Sequence, residues 1–124
     1  MSERIRYHTD LDVRGVSKEL ALEIYALTRT FPPKEAFLLT SQLRRAAVSV
    51  PANIAEGCGR GTRREFIRSL RVARGSLSEL HSHLSLAADL GYAPSKINMP
   101  FERIRRIHHM LNALIGRLSA LAKK

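Results

Sequence analysis

Along almost the whole chain apolar residues recur every three or four positions, and no segment alternates polar with apolar for long. That spacing is the period of an amphipathic helix, so the chain reads as all-α. A first helix is predicted over residues 12–30, with Val13, Val16, Leu20, Ile24 and Leu27 on one face; it stops ahead of Pro32-Pro33, where ring sterics forbid another turn. A second is predicted over residues 35–56, with Leu39, Leu43, Ala46, Ala47, Val50 and Ile54 inward and small enough in places to admit a close neighbour. Pro51 lies inside it. An interior proline removes one backbone hydrogen bond and clashes one turn back, at about 3 kcal/mol, so a kink or break is expected there.

Gly57, Gly59 and Gly61 read as the end of the second helix and the opening of a short loop, because glycine readily takes left-handed backbone. Thr62 with Glu65 three residues on is a capping-box pattern, and a third helix is predicted over residues 62–90. Phe66, Leu70, Ala73, Leu77, Leu80, Leu84 and Ala87 recur by alternating fours and threes, the heptad seam of a bundle, and Gly91 ends the run. The fourth helix is predicted over residues 96–122, with Pro94 or Pro100 in or near its first turn. Its apolar positions Ile104, Ile107, Leu111, Leu114, Ile115, Leu118 and Leu121, with His108, span about 160° of arc. That is wider than one seam needs, so part of this face is expected to meet another subunit. Four helices with short links predict a single domain over residues 1–124, an antiparallel up-down-up-down four-helix bundle.

Charge changes the picture from fold to partner. The chain holds 21 Lys and Arg against 11 Asp and Glu, a formal charge of +10. Residues 1–59 contribute only +1 and residues 60–124 contribute +9. A soluble surface explains the sum but not the segregation, which points to nucleic acid. Cys58 is the only cysteine, so no internal disulfide can form and a structural zinc site loses its commonest ligands. There is no basic leader followed by an apolar run, nor about 18 consecutive apolar residues, so a cytoplasmic protein with no membrane association is expected.

The stretch LTSQLRRAAVSVPANIAEGCGRGTRREFIRSLRVARGSLSELHSHLSLAADLGY, Leu39 to Tyr92, resembles the four-helix bundle proteins encoded in intervening sequences of bacterial 23S rRNA genes. LDVRGVSKELALEIYALT, Leu11 to Thr28, resembles the first helix of that family, and MLNALIGRLSAL, Met110 to Leu121, its last. The resemblance implies a bundle that assembles into a ring, typically a homopentamer, and implies no known reaction. A structurally similar relative is the accessory variability protein of diversity-generating retroelements, a basic pentamer that binds nucleic acid and works with a reverse transcriptase. The likeness to it lies in the fold, and it extends the expected partners to RNA or DNA and to a reverse transcriptase or other nucleic-acid enzyme. The chain departs from its relatives at Arg14, Gly15 and Val16, where Trp-Gln-Lys is frequent, and at His81 and His83, which replace Glu and Gln. Cys58 stands where many relatives have Phe. These changes spare the apolar pattern but make the third helix less acidic.

Arg63, Arg64, Arg68, Arg71 and Arg74 fall within about 140° of arc on the third helix, away from its apolar seam. They are the candidate nucleic-acid-binding residues, because a planar guanidinium forks onto phosphate oxygens and stays charged. The plainer reading is a solvated face, or one paired with acids of a neighbouring subunit. Arg103, Arg105, Arg106, Arg117, Lys123 and Lys124 rank lower as extensions, and Arg44 and Arg45 lower again. No aromatic interleaves with the row, which favours backbone reading over base stacking.

Other chemistry is weakly supported. The GCGRGT loop has no preceding strand and no phosphate-loop lysine, so it reads as a helix-to-helix turn that Glu56 could brace. His81 and His83 point about 160° apart on one helix and cannot share a metal there, although Glu79 and His83 have ligand spacing; His108 is placed at the core edge. Cys58 reads as a buried or bystander thiol, and no catalytic constellation, cofactor site or metal site is assigned. The sequence therefore favours a non-enzymatic, homo-oligomeric nucleic-acid-binding module, with a protein assembly scaffold as the alternative.

Overall fold

The computed structural model describes residues 8–122. In chain order they form α1 (His8–Thr28), a 3-10 turn (Pro33–Glu35), α2 (Leu39–Gly59), α3 (Arg63–Asp89) and α4 (Asn98–Ala122), and no strand occurs among them. Every apolar residue assigned from its period to the inner faces of α1, α2 and α3 is buried, with Leu20, Ile24, Leu43, Ile54, Leu70, Leu77, Leu80 and Leu84 fully enclosed. Each helix packs against its chain neighbour and α1 closes against α4, which makes a four-helix bundle. α2 runs antiparallel to α3, and α3 to α4: Ser49 and Gly57 of α2 meet Ser76 and Ser69 of α3 respectively, and Arg74 and His81 of α3 meet Asn112 and Phe101 of α4.

Among the described residues a polar link crosses each of the four helix interfaces. Arg44 of α2 donates from Nε to Thr28 Oγ1 of α1 at 2.9 Å and lies 4.6 Å from the Tyr25 ring centroid. The hydroxyls of Ser49 and Ser76 meet at 2.8 Å between α2 and α3. Arg74 donates to Asn112 Oδ1 at 2.9 Å between α3 and α4. Arg103 of α4 grips Glu19 at 2.9 Å and Glu23 at 3.2 Å on α1.

Three helix expectations need correction. The second helix starts at Leu39 rather than residue 35. Pro33 opens a 3-10 turn instead, with Ala36 N–H donating to Pro33 O, and the Glu35 carboxylate reaches forward to accept from the Leu39 N–H at 3.4 Å. The proline-fixed backbone suits that turn, and the first free amides of α2 gain an acceptor. Of the kink or break expected at Pro51, the break is absent: α2 runs unbroken to Gly59. Val50 and Ile54 are fully buried on either side of it, and burying two such side chains, at about 1.5–3 kcal/mol each, outweighs the proline cost. Asn53 Nδ2 also donates to Ser49 O at 2.7 Å and reinforces the affected turn. Finally, the wide face of α4 is largely used at home. Ile104, Ile107, Leu111, Leu114, Ile115 and Leu118 are buried between α1 and α3, and of the apolar set only Leu121 stays exposed.

The glycines divide by role. Gly57 and Gly59 are helical; Gly57 is buried because a Cβ there would lie 2.6 Å from Ser69 Cβ and 3.0 Å from Phe66 Cδ1. Only Gly61, at φ +92°, supplies left-handed backbone in that turn. At the other end of α3, Gly91 at φ +81° makes a Schellman cap, with Tyr92 N–H donating to Ala87 O and Gly91 N–H to Ala88 O. Tyr92 then stacks at a tilt on buried Phe31, ring centroids 5.1 Å apart, and its hydroxyl donates to Glu35 Oε2 at 2.8 Å.

That bond, helped by partial desolvation and the Glu35 charge, holds the Tyr92 phenol above its ordinary value. The folded state binds this proton more tightly than the unfolded chain, so the stabilisation is complete below the ordinary phenol range and is lost as pH rises through the raised value. An absorbance titration should therefore show a late-titrating tyrosine that disappears in Tyr92→Phe and titrates earlier in Glu35→Gln. An unchanged titration in Glu35→Gln would show that the bond has no such effect.

Candidate nucleic-acid interface

Gly61 and Thr62 set where the arginine row begins. Thr62 Oγ1 accepts from the Glu65 N–H at 3.1 Å, which caps α3, and its hydroxyl donates to Glu65 Oε2 at 3.2 Å. The predicted capping box is thus half formed: the Glu65 carboxylate meets the hydroxyl rather than the Thr62 amide. The cap places Arg63 and Arg64 in the first turn, where the positive end of the helix dipole disfavours cations by about 0.3–1 kcal/mol each. Glu65 is the sole acid in that turn. Helix stability alone would select the opposite charge.

Arg64, Arg68 and Arg71 are exposed, and Arg63 and Arg74 are half-buried. None of the five forms an ion pair with a carboxylate of the described residues. Arg74 is turned toward α4 by its bond to Asn112, so the outward row is Arg64, Arg68 and Arg71 with Arg63 at its margin. Asn112 also donates from Nδ2 to His108 Nδ1 at 3.1 Å. No spacing within one helix announces Asn112; only the register of α3 against α4 brings it to Arg74.

Two of the lower-ranked cations are committed to the fold. Arg103 is clamped to α1 by Glu19 and Glu23, and Arg44 ties α2 to α1. Arg105 is exposed, with a long 3.9 Å approach to Glu102. Arg45 and Arg106 are exposed and Arg117 is half-buried, while Lys123 and Lys124 lie outside the described residues. Arg60 pairs with Glu56 at 3.5 Å, so Glu56 does brace the turn.

His83 takes Glu79 as its partner at 3.3 Å, whereas His81 meets the Phe101 ring edge-on, centroids 5.2 Å apart. His108 is half-buried at the core edge, as its position in the pattern implied. Among the described residues no three His, Cys, Asp or Glu side chains cluster as metal ligands would. Cys58 is buried at the core margin. No helix of the described residues is long and apolar enough to cross a membrane.

Fold and surface together define an all-helical four-helix bundle carrying a row of arginines on one helix. The model of the family described as 23S rRNA-intervening sequence protein matches residues 9–113, and the chain belongs to that family. A solved structure with the same fold is a protein of unknown function from the S23 ribosomal protein family of Bacteroides thetaiotaomicron. It is 24% identical, covers 87% of this chain and 98% of its own length, and superposes with a TM-score of 0.80. No curated protein matches the chain.

Proposed function

We propose that this protein is a non-enzymatic, homo-oligomeric module that holds the backbone of RNA or DNA on the α3 arginines, as an accessory to a nucleic-acid enzyme such as a reverse transcriptase. The observation that carries this reading is the exposed row Arg64, Arg68 and Arg71, without a carboxylate partner among the described residues and starting at a helix end that repels cations. The ribosomal terms in the names of its family and of the solved relative's family accord with a nucleic-acid setting.

Self-association has its own support where the end of α1 meets α2. Phe37 is 93% exposed, and Leu38, Val48 and Tyr25 stand exposed near it around the start of α2. A cluster of this kind marks an interaction surface. A ring, with a pentamer the form its family resemblance implies, would repeat the arginine row by symmetry and convert weak contacts into avidity. The same cluster also favours the second reading, a protein assembly scaffold whose charge serves only solubility.

A salt series separates the two. Each phosphate neutralised contributes about −0.7 to −0.9 to the slope of log K against log salt, so anisotropy of labelled RNA and DNA should give a slope of about −4 or steeper. Light scattering on the same material should give a multiple of the 13.9 kDa chain. Absence of binding near about 150 mM salt, with assembly intact, would leave the scaffold.

A further inference from the structure

Beside the arginine row, α3 and α4 part to form a groove of about 500 Å³. Leu77 of α3 and Ile104 and Phe101 of α4 line its apolar part, and Leu77 and Ile104 are buried. His81, Arg105, His108 and His109 supply its polar part, and no carboxylate is among the lining residues. Ser78 and His81 continue the face of α3 that carries the arginines, and Ser78 lies about 10 Å along the axis from Arg71. Asn112 joins the two regions, accepting from Arg74 of the row and donating to His108 of the groove.

We propose that this groove receives one unstacked nucleobase of the strand held on the arginines, so that the protein prefers single-stranded nucleic acid to duplex. The inference rests on the reading of the arginine face as a backbone-binding surface. A base needs a flat apolar bed, an aromatic neighbour and hydrogen-bonding groups at its edge. The groove provides all three: the half-buried Phe101 ring seated over Leu77 and Ile104 as the bed, the exposed His81 ring beside it, and the Asn112 and His108 polar atoms. Its volume lies within the about 300–1,000 Å³ of small-molecule sites, and Arg105 suits the attached phosphate. The Phe101 ring comes from α4, which is why the α3 sequence alone favours backbone reading.

The test compares three labelled probes of one length by anisotropy: a mixed-sequence single strand, its duplex, and an abasic sugar-phosphate strand. The intact strand should bind about tenfold more tightly than the abasic strand, the effect of one stacked base, and more tightly than the duplex. His81→Ala, at an exposed position, and Phe101→Leu, which keeps apolar volume but loses the ring, should each bring the intact strand toward the abasic level. Neither should alter abasic binding, and circular dichroism should show both variants folded. Equal affinity for intact and abasic strands, or for single strand and duplex, would overturn the proposal. The arginine reading would survive that result if abasic binding is lost on reversing the row to glutamate. Failure of every probe to bind would overturn both.

Discussion

Replacing Arg64, Arg68 and Arg71 together with glutamate is expected to abolish nucleic-acid binding while leaving helix content and assembled mass unchanged. The three side chains are exposed and make no ion pair among the described residues, so their loss removes no packing and strands no buried partner. Glutamate forms helix about as well as arginine, and at position 64 it suits the positive end of the dipole better. A fall in stability is therefore not expected to masquerade as a fall in binding. The charge of each subunit drops by six and the row becomes repulsive to phosphate. Losing three phosphate contacts flattens the salt slope by about 2–3 units, and reversal rather than neutralisation should lower affinity by about 100-fold or more. Anisotropy at fixed salt reads the loss. Retention of wild-type affinity would remove this face from the binding surface.

The largest effect on stability should come from Gly57→Val. Its Cβ would sit 2.6 Å from Ser69 Cβ, an atom fixed to the α3 backbone, so relief requires the two helices to separate. A second branch adds overlap near Phe66, and overpacking of this severity costs about 3 kcal/mol or more. For a chain of this size that is a fall in Tm of about 10 °C or more. Gly59, two residues on in the same helix, meets nothing within 4 Å, so Gly59→Ala should instead raise stability by up to about 1 kcal/mol through helix propensity. Thermal melts of the two variants should move in opposite directions. Similar melts for both would mean that the α2–α3 contact at Gly57 relaxes at little cost.

What the sequence made legible was whatever depends on period within one helix. The seven seam positions from Phe66 to Ala87 are all buried, because a spacing of threes and fours leaves a helix one way to hide them. Contacts between helices were not legible. Gly57 resembles a helix terminator in sequence, and only the approach of Ser69 shows it to be a spacer. The α4 face looked too wide for one bundle because the share taken by α1 and by α3 depends on three-dimensional placement. The start of α2 was misplaced because Glu35 and Ala36 form helix readily, while the capping use of the Glu35 carboxylate is a through-space event. In the candidate site, the arginine arc was readable and its neutral neighbours were not: Asn112 and Phe101 reach it from a helix begun more than thirty residues after the arc starts.

The four polar links between helices bear on an ambiguity that leucine seams carry. A heptad seam nearly matches itself when displaced by seven residues, so sliding one helix about 10.5 Å along its neighbour would bring much of its apolar stripe against similar side chains. Arg44 with Thr28 has no such second position: seven residues away within their helices stand Pro51 and Ala21, whereas Ser69 stands seven from Ser76 and Asp12 seven from Glu19. A slip of α1 along α2 by one heptad would therefore forfeit the Arg44 link outright. That link works as a vernier: greasy surfaces bring the helices together, and a polar coincidence chooses which of several nearly equivalent alignments persists.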